Sequence, residues 1–179
     1  MKKILLAWAL VASSITSINA QADGCSSATV INVTANCSSP TAGTTTGATQ
    51  TIPGCTGNAD DDVWYQFTAT ASSHQIVVTA SASFDPVVQL FSGACASLIS
   101  LACRDDAGTG GTETINYSGL SIGQVYRIRV YHYGLGAGSG NFTICVTTPP
   151  PAPVNDSCGG AIALNVNSSC SFTNGTTNG

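Results

Sequence analysis

Three sets of residues have the types and spacing to do chemistry. Asp60-Asp61-Asp62 and Asp105-Asp106 form two acidic clusters, the second preceded by Arg104, with Asp85 between them in sequence. Calcium takes about six to eight hard oxygen ligands, which loop carboxylates and carbonyls can supply. Asp60, Asp61, Asp62, Asp85, Asp105 and Asp106 are therefore the candidate metal ligands, and calcium is the one cofactor they suit. The plainer role for the same side chains is capping turns, and no EF-hand spacing is present. Trp64 and the run Tyr131-His132-Tyr133 are the second set. Exposed aromatics stack on sugar rings or anchor a protein partner, so Trp64, Tyr131 and Tyr133 are the candidate ligand-binding residues. Ordinary sheet packing is the competing role, above all for Trp64. The third set, eight cysteines, includes no CxxC pair and no cluster with histidine, so disulfides are expected ahead of metal.

Enzyme chemistry is poorly provided for. The chain has two histidines, His74 and His132, and lacks GxSxG and HExxH motifs. Nothing marks a nucleophile beside a base, and a non-enzymatic protein is expected.

These residues must be positioned by β structure. The hydrophobic period is two rather than 3.6. In Val125 to Tyr131, Tyr126, Ile128 and Val130 alternate with Arg127 and Arg129. Val63–Phe67, Gln75–Thr79, Val87–Phe91, Glu113–Tyr117 and Asn141–Val146 read as further strands. Thr29–Thr34 and Thr44–Thr51 read as edge strands. Gly, Ser, Asn and Asp punctuate the gaps at the spacing of a sandwich or barrel.

The first twenty residues read as a signal peptide. Lys2 and Lys3 precede the apolar run Ile4 to Ala12, and Ser17-Ile18-Asn19-Ala20 suits cleavage before Gln21. The run is too short to span a bilayer, and no later segment reaches about 18 consecutive apolar residues. Export is expected, with no membrane insertion. All nine acidic residues lie beyond this segment, against three arginines. That balance argues against nucleic acid and anionic lipid. It leaves carbohydrate, protein surfaces or divalent cations.

An internal repeat divides the rest. Asp23-Gly24-Cys25, Ala28, Ile31 and Val33 are echoed by Asp156-Ser157-Cys158, Ala161, Leu164 and Val166. Cys25 and Cys37 have the same spacing as Cys158 and Cys170, and a Gly/Thr-rich run follows each second cysteine. Thr147 to Pro153 is a stiff Pro-rich stretch. The expected domains are a signal peptide at 1–20, a β module at 23–148, a linker at 149–154 and the incomplete start of a second module at 155–179. The complete module then holds six cysteines and three bonds. Cys95 and Cys103 flank a short segment, which favours a local Cys95–Cys103 bond. Four cysteines and three pairings remain; the preferred pairing is Cys25–Cys145 with Cys37–Cys55, and Cys25–Cys37 is the alternative.

Several segments together carry a resemblance: Asn155-Asp156-Ser157-Cys158, Asp62 to Phe67, Phe84 to Gly93, Leu101 to Asp106, and Gly123 to Val130. In this order they resemble the bacterial pre-peptidase C-terminal domains. They are most similar to the cysteine-rich version repeated in secreted surface proteins with type IX sorting tails. The resemblance implies an all-β, jelly-roll-like β-sandwich of about 7–9 antiparallel strands, here disulfide-stapled. It implies no catalytic activity, and in collagenases a related module binds substrate and is steadied by calcium. The expected function is a non-catalytic secreted or cell-surface module binding an extracellular polysaccharide or protein. The alternatives are an accessory domain of an exported hydrolase or peptidase, and a structural spacer.

Overall fold

The computed structural model describes residues 22–134, 139–149 and 158–164, with positions 169, 172, 174 and 175. The signal segment 1–20, the linker beyond Pro149 and much of the second repeat lie outside the described residues. Ten strands follow one another: β1 (Thr29–Val30), β2 (Val33–Thr34), β3 (Thr41–Thr44), β4 (Val63–Thr68), β5 (Ser73–Ala80), β6 (Pro86–Ser92), β7 (Ile99–Arg104), β8 (Thr112–Ser118), β9 (Val125–His132) and β10 (Asn141–Thr147). No α-helix occurs among the described residues; short 3-10 turns stand at Cys25–Ser27 and Cys158–Gly160.

The strands form two facing sheets. The first has the order β1-β4-β9-β6-β7 and the second β2-β10-β5-β8, with β3 also paired to β10. Period-two alternation sends one set of side chains from each sheet into the shared core. Val63, Tyr65 and Phe67 of β4, Ile128 and Val130 of β9, Ile76 and Val78 of β5, and Ile144 and Val146 of β10 are all buried there. Phe67 stacks on Tyr126 and Phe84 on Phe142, at centroid distances of 5.8 and 5.6 Å.

The sandwich departs from the antiparallel expectation at one seam. β1 runs parallel to β4, and β2 runs parallel to β10. Between them Ile31, 5% exposed, drops into the core while its N–H donates to the Gln66 carbonyl at 2.8 Å. One short stretch of chain thus crosses from the edge of one sheet to the edge of the other and closes that side, giving ten strands where seven to nine were expected. The ladder expected over Thr44–Thr51 is displaced to Thr41–Thr44. Beyond it side chains capture the backbone instead: Gly140 N–H donates to Thr45 Oγ1 at 3.2 Å, and Thr49 N–H donates to the Asp23 carboxylate.

Three disulfides staple this architecture, none with the expected partners. They are Cys25–Cys95, Cys37–Cys145 and Cys55–Cys103. The expected Cys95–Cys103 bond fails because Cys103 lies four residues into the extended strand β7. That distance is about 13 Å at strand rise, beyond the roughly 5.5–6 Å Cα separation a disulfide prefers. Cys25–Cys145 fails because Cys25 sits in the turn beside the first sheet, whereas Cys145 faces outward from the second. Cys37–Cys55 fails for the same reason in reverse: Cys37 reaches the outside of the second sheet and Cys55 belongs to a loop outside the first. The alternative Cys25–Cys37 is likewise absent.

Candidate functional site

The outer face of the first sheet is partly roofed by the loop between β3 and β4. Arg129, on β9, points outward into this roof and is fully buried. Its Nη1 donates to Asp62 Oδ2 at 3.1 Å and to the Ile52 carbonyl at 2.7 Å. Its Nη2 donates to the Pro53 carbonyl at 2.9 Å and to Gln89 Oε1 at 2.8 Å. Asp62 also accepts from Thr51 Oγ1 at 2.8 Å and Trp64 Nε1 at 3.2 Å. Burial raises the Asp62 pKa and lowers that of Arg129, each opposed by the partner's charge. The guanidinium also lies 4.8 Å from the Tyr131 ring centroid.

This roof corrects two expectations about ligand-binding aromatics. Trp64 and Tyr131 are both 0% exposed. Trp64 packs with Phe91 and Ala28, and Tyr131 with Ala59 and Val87. The Tyr131 hydroxyl donates to the Thr56 carbonyl at 2.7 Å and accepts from Cys55 N–H at 3.1 Å; burial raises its pKa. They fasten the loop and present nothing to a ligand. Tyr133 alone of the three is exposed, at 45%. It lies against Gly57, whose φ of +57° and close approach to the Tyr133 ring leave no room for a Cβ.

The roof also removes Asp62 from the acidic set. Asp61, Asp85, Asp105 and Asp106 gather toward one end of the sandwich, joined by Glu113, which lies outside the acidic clusters of the sequence. Glu113 shares strand parity with Ile115 and so faces inward on β8, a signal that alternation alone carries. Its Oε1 accepts from Asp106 N–H at 2.9 Å and from Ala107 N–H at 2.6 Å. Asp61 Oδ1 accepts from His132 N–H at 2.9 Å. Asp105 has its pKa raised by burial and by the charges of Asp85, Glu113 and Asp106. Asp61 Oδ2, Asp85 Oδ1 and Glu113 Oε2 are buried without a hydrogen-bond partner. Yet no group of three or more His, Cys, Asp or Glu among the described residues is arranged to hold a metal ion.

Neither histidine is poised as a base. His74, fully buried, accepts from Thr70 N–H at 3.1 Å and Ala71 N–H at 3.2 Å through Nε2. That places its proton on Nδ1, donating to the Thr147 carbonyl at 3.0 Å. His132 Nδ1 accepts from Asp85 N–H at 3.1 Å. Both rings are acceptors for backbone and serve as structural fasteners.

The outer face of the second sheet differs sharply. Strands β2, β3, β5 and β10 contain no Asp, Glu, Lys or Arg, and the one charged residue of β8, Glu113, points inward. Ala42, Thr143, Thr79 and Thr112 form one cross-strand row. Thr147, Gln75 and Asn116 form another. Thr112 Oγ1 donates to Thr79 Oγ1 at 3.2 Å, and Gln75 Nε2 donates to Asn116 Oδ1 at 2.9 Å. At the β3 margin a cleft of about 1150 Å³ opens, lined by Thr44, Tyr65, Thr79, Asn141, Phe142 and others. Gly43 is required there, because a Cβ would collide with the Tyr65 hydroxyl and the Phe142 ring. Burial raises the Tyr65 pKa strongly, so the phenol stays neutral.

No curated protein matches the chain. Among solved structures, the pre-peptidase C-terminal domain of a collagenase from Bacillus anthracis aligns at 16% identity and a TM-score of 0.41, over 66% of this chain and 93% of that one. A periplasmic inhibitor of g-type lysozyme from Aeromonas hydrophila aligns at 14% identity and a TM-score of 0.35, over 66% of this chain and 96% of that one. A family model described as galactose binding domain-like, associated with type IX secretion, matches residues 21–144. That span is the whole disulfide-stapled sandwich up to the middle of β10, and the association makes the chain a secreted or cell-surface protein. The chain belongs to this galactose binding domain-like, type IX secretion-associated family.

Proposed function

We propose that this non-catalytic sandwich is an accessory recognition module of a secreted protein, and that it holds an uncharged extracellular polysaccharide on the outer face of its second sheet. One observation carries the reading: an uncharged face on which the rows Thr143-Thr79-Thr112 and Gln75-Asn116 flank Cys145-Val77-Thr114, in a chain whose charges all lie elsewhere. An anionic ligand asks for Arg or Lys, and this face offers neither. A neutral glycan asks for short hydroxyl and amide groups at regular spacing, and strands about 4.8 Å apart supply them. The cleft at the β3 margin adds Asn141 and Thr44 beside those rows. Three disulfides and a two-sheet core hold the backbone of the platform, which lowers the ordering cost of binding.

A glycan array with neutral and anionic polysaccharides tests this. Retention on neutral glycans, indifferent to salt, is expected. Thr79→Lys and Thr143→Lys should each weaken it about tenfold, or about 1.4 kcal/mol. Retention on anionic glycans alone, or on neutral ones unaffected by either lysine, would overturn the reading. A protein ligand on the same face is the second outcome the array, extended with matrix proteins, distinguishes.

A further inference from the structure

The second repeat shares more than sequence with the first. Cys158–Gly160 is a 3-10 turn, as is Cys25–Ser27. Ala161 N–H donates to the Cys158 carbonyl at 3.2 Å, and Ala28 N–H donates to the Cys25 carbonyl at 3.3 Å. The residues that follow match in type: Ile31 and Leu164, Val33 and Val166, Cys37 and Cys170. Their surroundings do not match. Ile31 is 5% exposed in the seam between the sheets, whereas Leu164 is 71% exposed. The same local turn is followed at the same spacing by an apolar residue, and here that residue is exposed.

In the first module this segment closes a sandwich and is fixed at both ends by distant cysteines. Cys25 bonds Cys95 in the β6–β7 hairpin, 70 residues away. Cys37 bonds Cys145 on β10, 108 residues away. The two cysteines of the segment engage opposite sides of the sandwich, so they do not pair with each other.

We propose that the segment beginning at Cys158 is the closing strand for another sandwich of this fold. Cys158 and Cys170 then bond to that sandwich and not to each other. Cys158 pairs with a cysteine in its β6–β7 hairpin, and Cys170 with one on the strand equivalent to β10. Leu164 fills that sandwich's seam as Ile31 does here. Each bond forms when two thiols lose two protons and two electrons to a disulfide oxidant, such as oxidised glutathione, which becomes two thiols. The inference does not rest on the polysaccharide reading.

The test is refolding of the whole chain in a glutathione buffer, alkylation, and non-reducing peptide mapping. Three bonds, Cys25–Cys95, Cys37–Cys145 and Cys55–Cys103, are expected, with Cys158 and Cys170 alkylated or capped by glutathione. A Cys158–Cys170 peptide overturns the proposal. In a second chain, residues 38–149 are appended directly after Cys170. Cys158 should then link to the appended copy of Cys95, and Cys170 to the appended copy of Cys145. Both remaining as free thiols there, or linking to each other, would also overturn it.

Discussion

The guanidinium of Arg129 donates to the carboxylate of Asp62 at 3.1 Å, and neither side chain reaches solvent. This pair ties β9 to the end of the roof loop. Asp62 in turn is held by Thr51 and Trp64, so the contact organises the loop that hides Trp64 and Tyr131. Removing one partner leaves a buried charge alone. Asp62→Ala should therefore cost about 3–5 kcal/mol of unfolding free energy. Arg129→Met should cost a similar amount. Combined, they should cost less than the sum of the two by about 1–3 kcal/mol. Urea unfolding of the four proteins in the cycle measures this. Strict additivity would mean the two side chains are energetically independent.

Cys37–Cys145 closes the longest loop of the three, with a sequence separation of 108. It also clamps the segment after β2 to the outside of β10. Chain-entropy reasoning gives about 4–5 kcal/mol for such a loop. Replacing both cysteines by serine should lower the melting temperature more than the same change at Cys55–Cys103, whose separation is 48. Calorimetry on the two double variants decides, and the reverse order would count against the entropic account.

Much of the fold is legible in the sequence. Alternation in Val125 to Tyr131 places Tyr126, Ile128 and Val130 in the core, as found. The even cysteine count correctly implied three bonds within 23–148. The order of motifs resembled the pre-peptidase C-terminal domains with type IX tails, in agreement with the family found. What was not legible depends on objects without a local signature. An outward aromatic on a strand looks the same in sequence whether solvent or a loop covers it, so the sequence offers Trp64 and Tyr131 as ligand candidates although both are buried. Asp62 shares the parity of Trp64 and follows it under the roof, while Asp60 and Asp61 stay outside that ion pair. Disulfide partners depend on sheet order, which brings Cys25 beside Cys95 and Cys37 beside Cys145 across long separations.

The acidic end makes a pH prediction. Asp105 has a raised pKa in the folded chain, through burial and the neighbouring carboxylates Asp85, Glu113 and Asp106. A carboxyl whose folded value exceeds its unfolded one favours folding when protonated. Its contribution is complete below the unfolded value, near 3.9, and is lost as pH rises through the folded value. Asp105→Asn should therefore raise the melting temperature at pH 7, with a gain that shrinks as pH falls toward about 4. A gain that is constant from pH 7 to acid would contradict the electrostatic cause.

His74 accepts two backbone N–H groups in the turn before β5. His74→Phe keeps the ring volume and leaves those donors without an acceptor. A cost of about 1–3 kcal/mol is expected for the loss. Faster hydrogen exchange should appear at Thr70 and Ala71 first. Unchanged protection at those two amides would show that His74 is packing alone.

In the proposed function, ligand meets the uncharged outer face of the second sheet. Backbone amide shifts recorded during titration with a neutral polysaccharide retained on the array test it most directly. Shifts concentrated on β3, β5, β8 and β10, around Ala42, Thr79, Thr112 and Thr143, are expected. Shifts confined to Tyr133, Arg127 and the roof of the first sheet would contradict it.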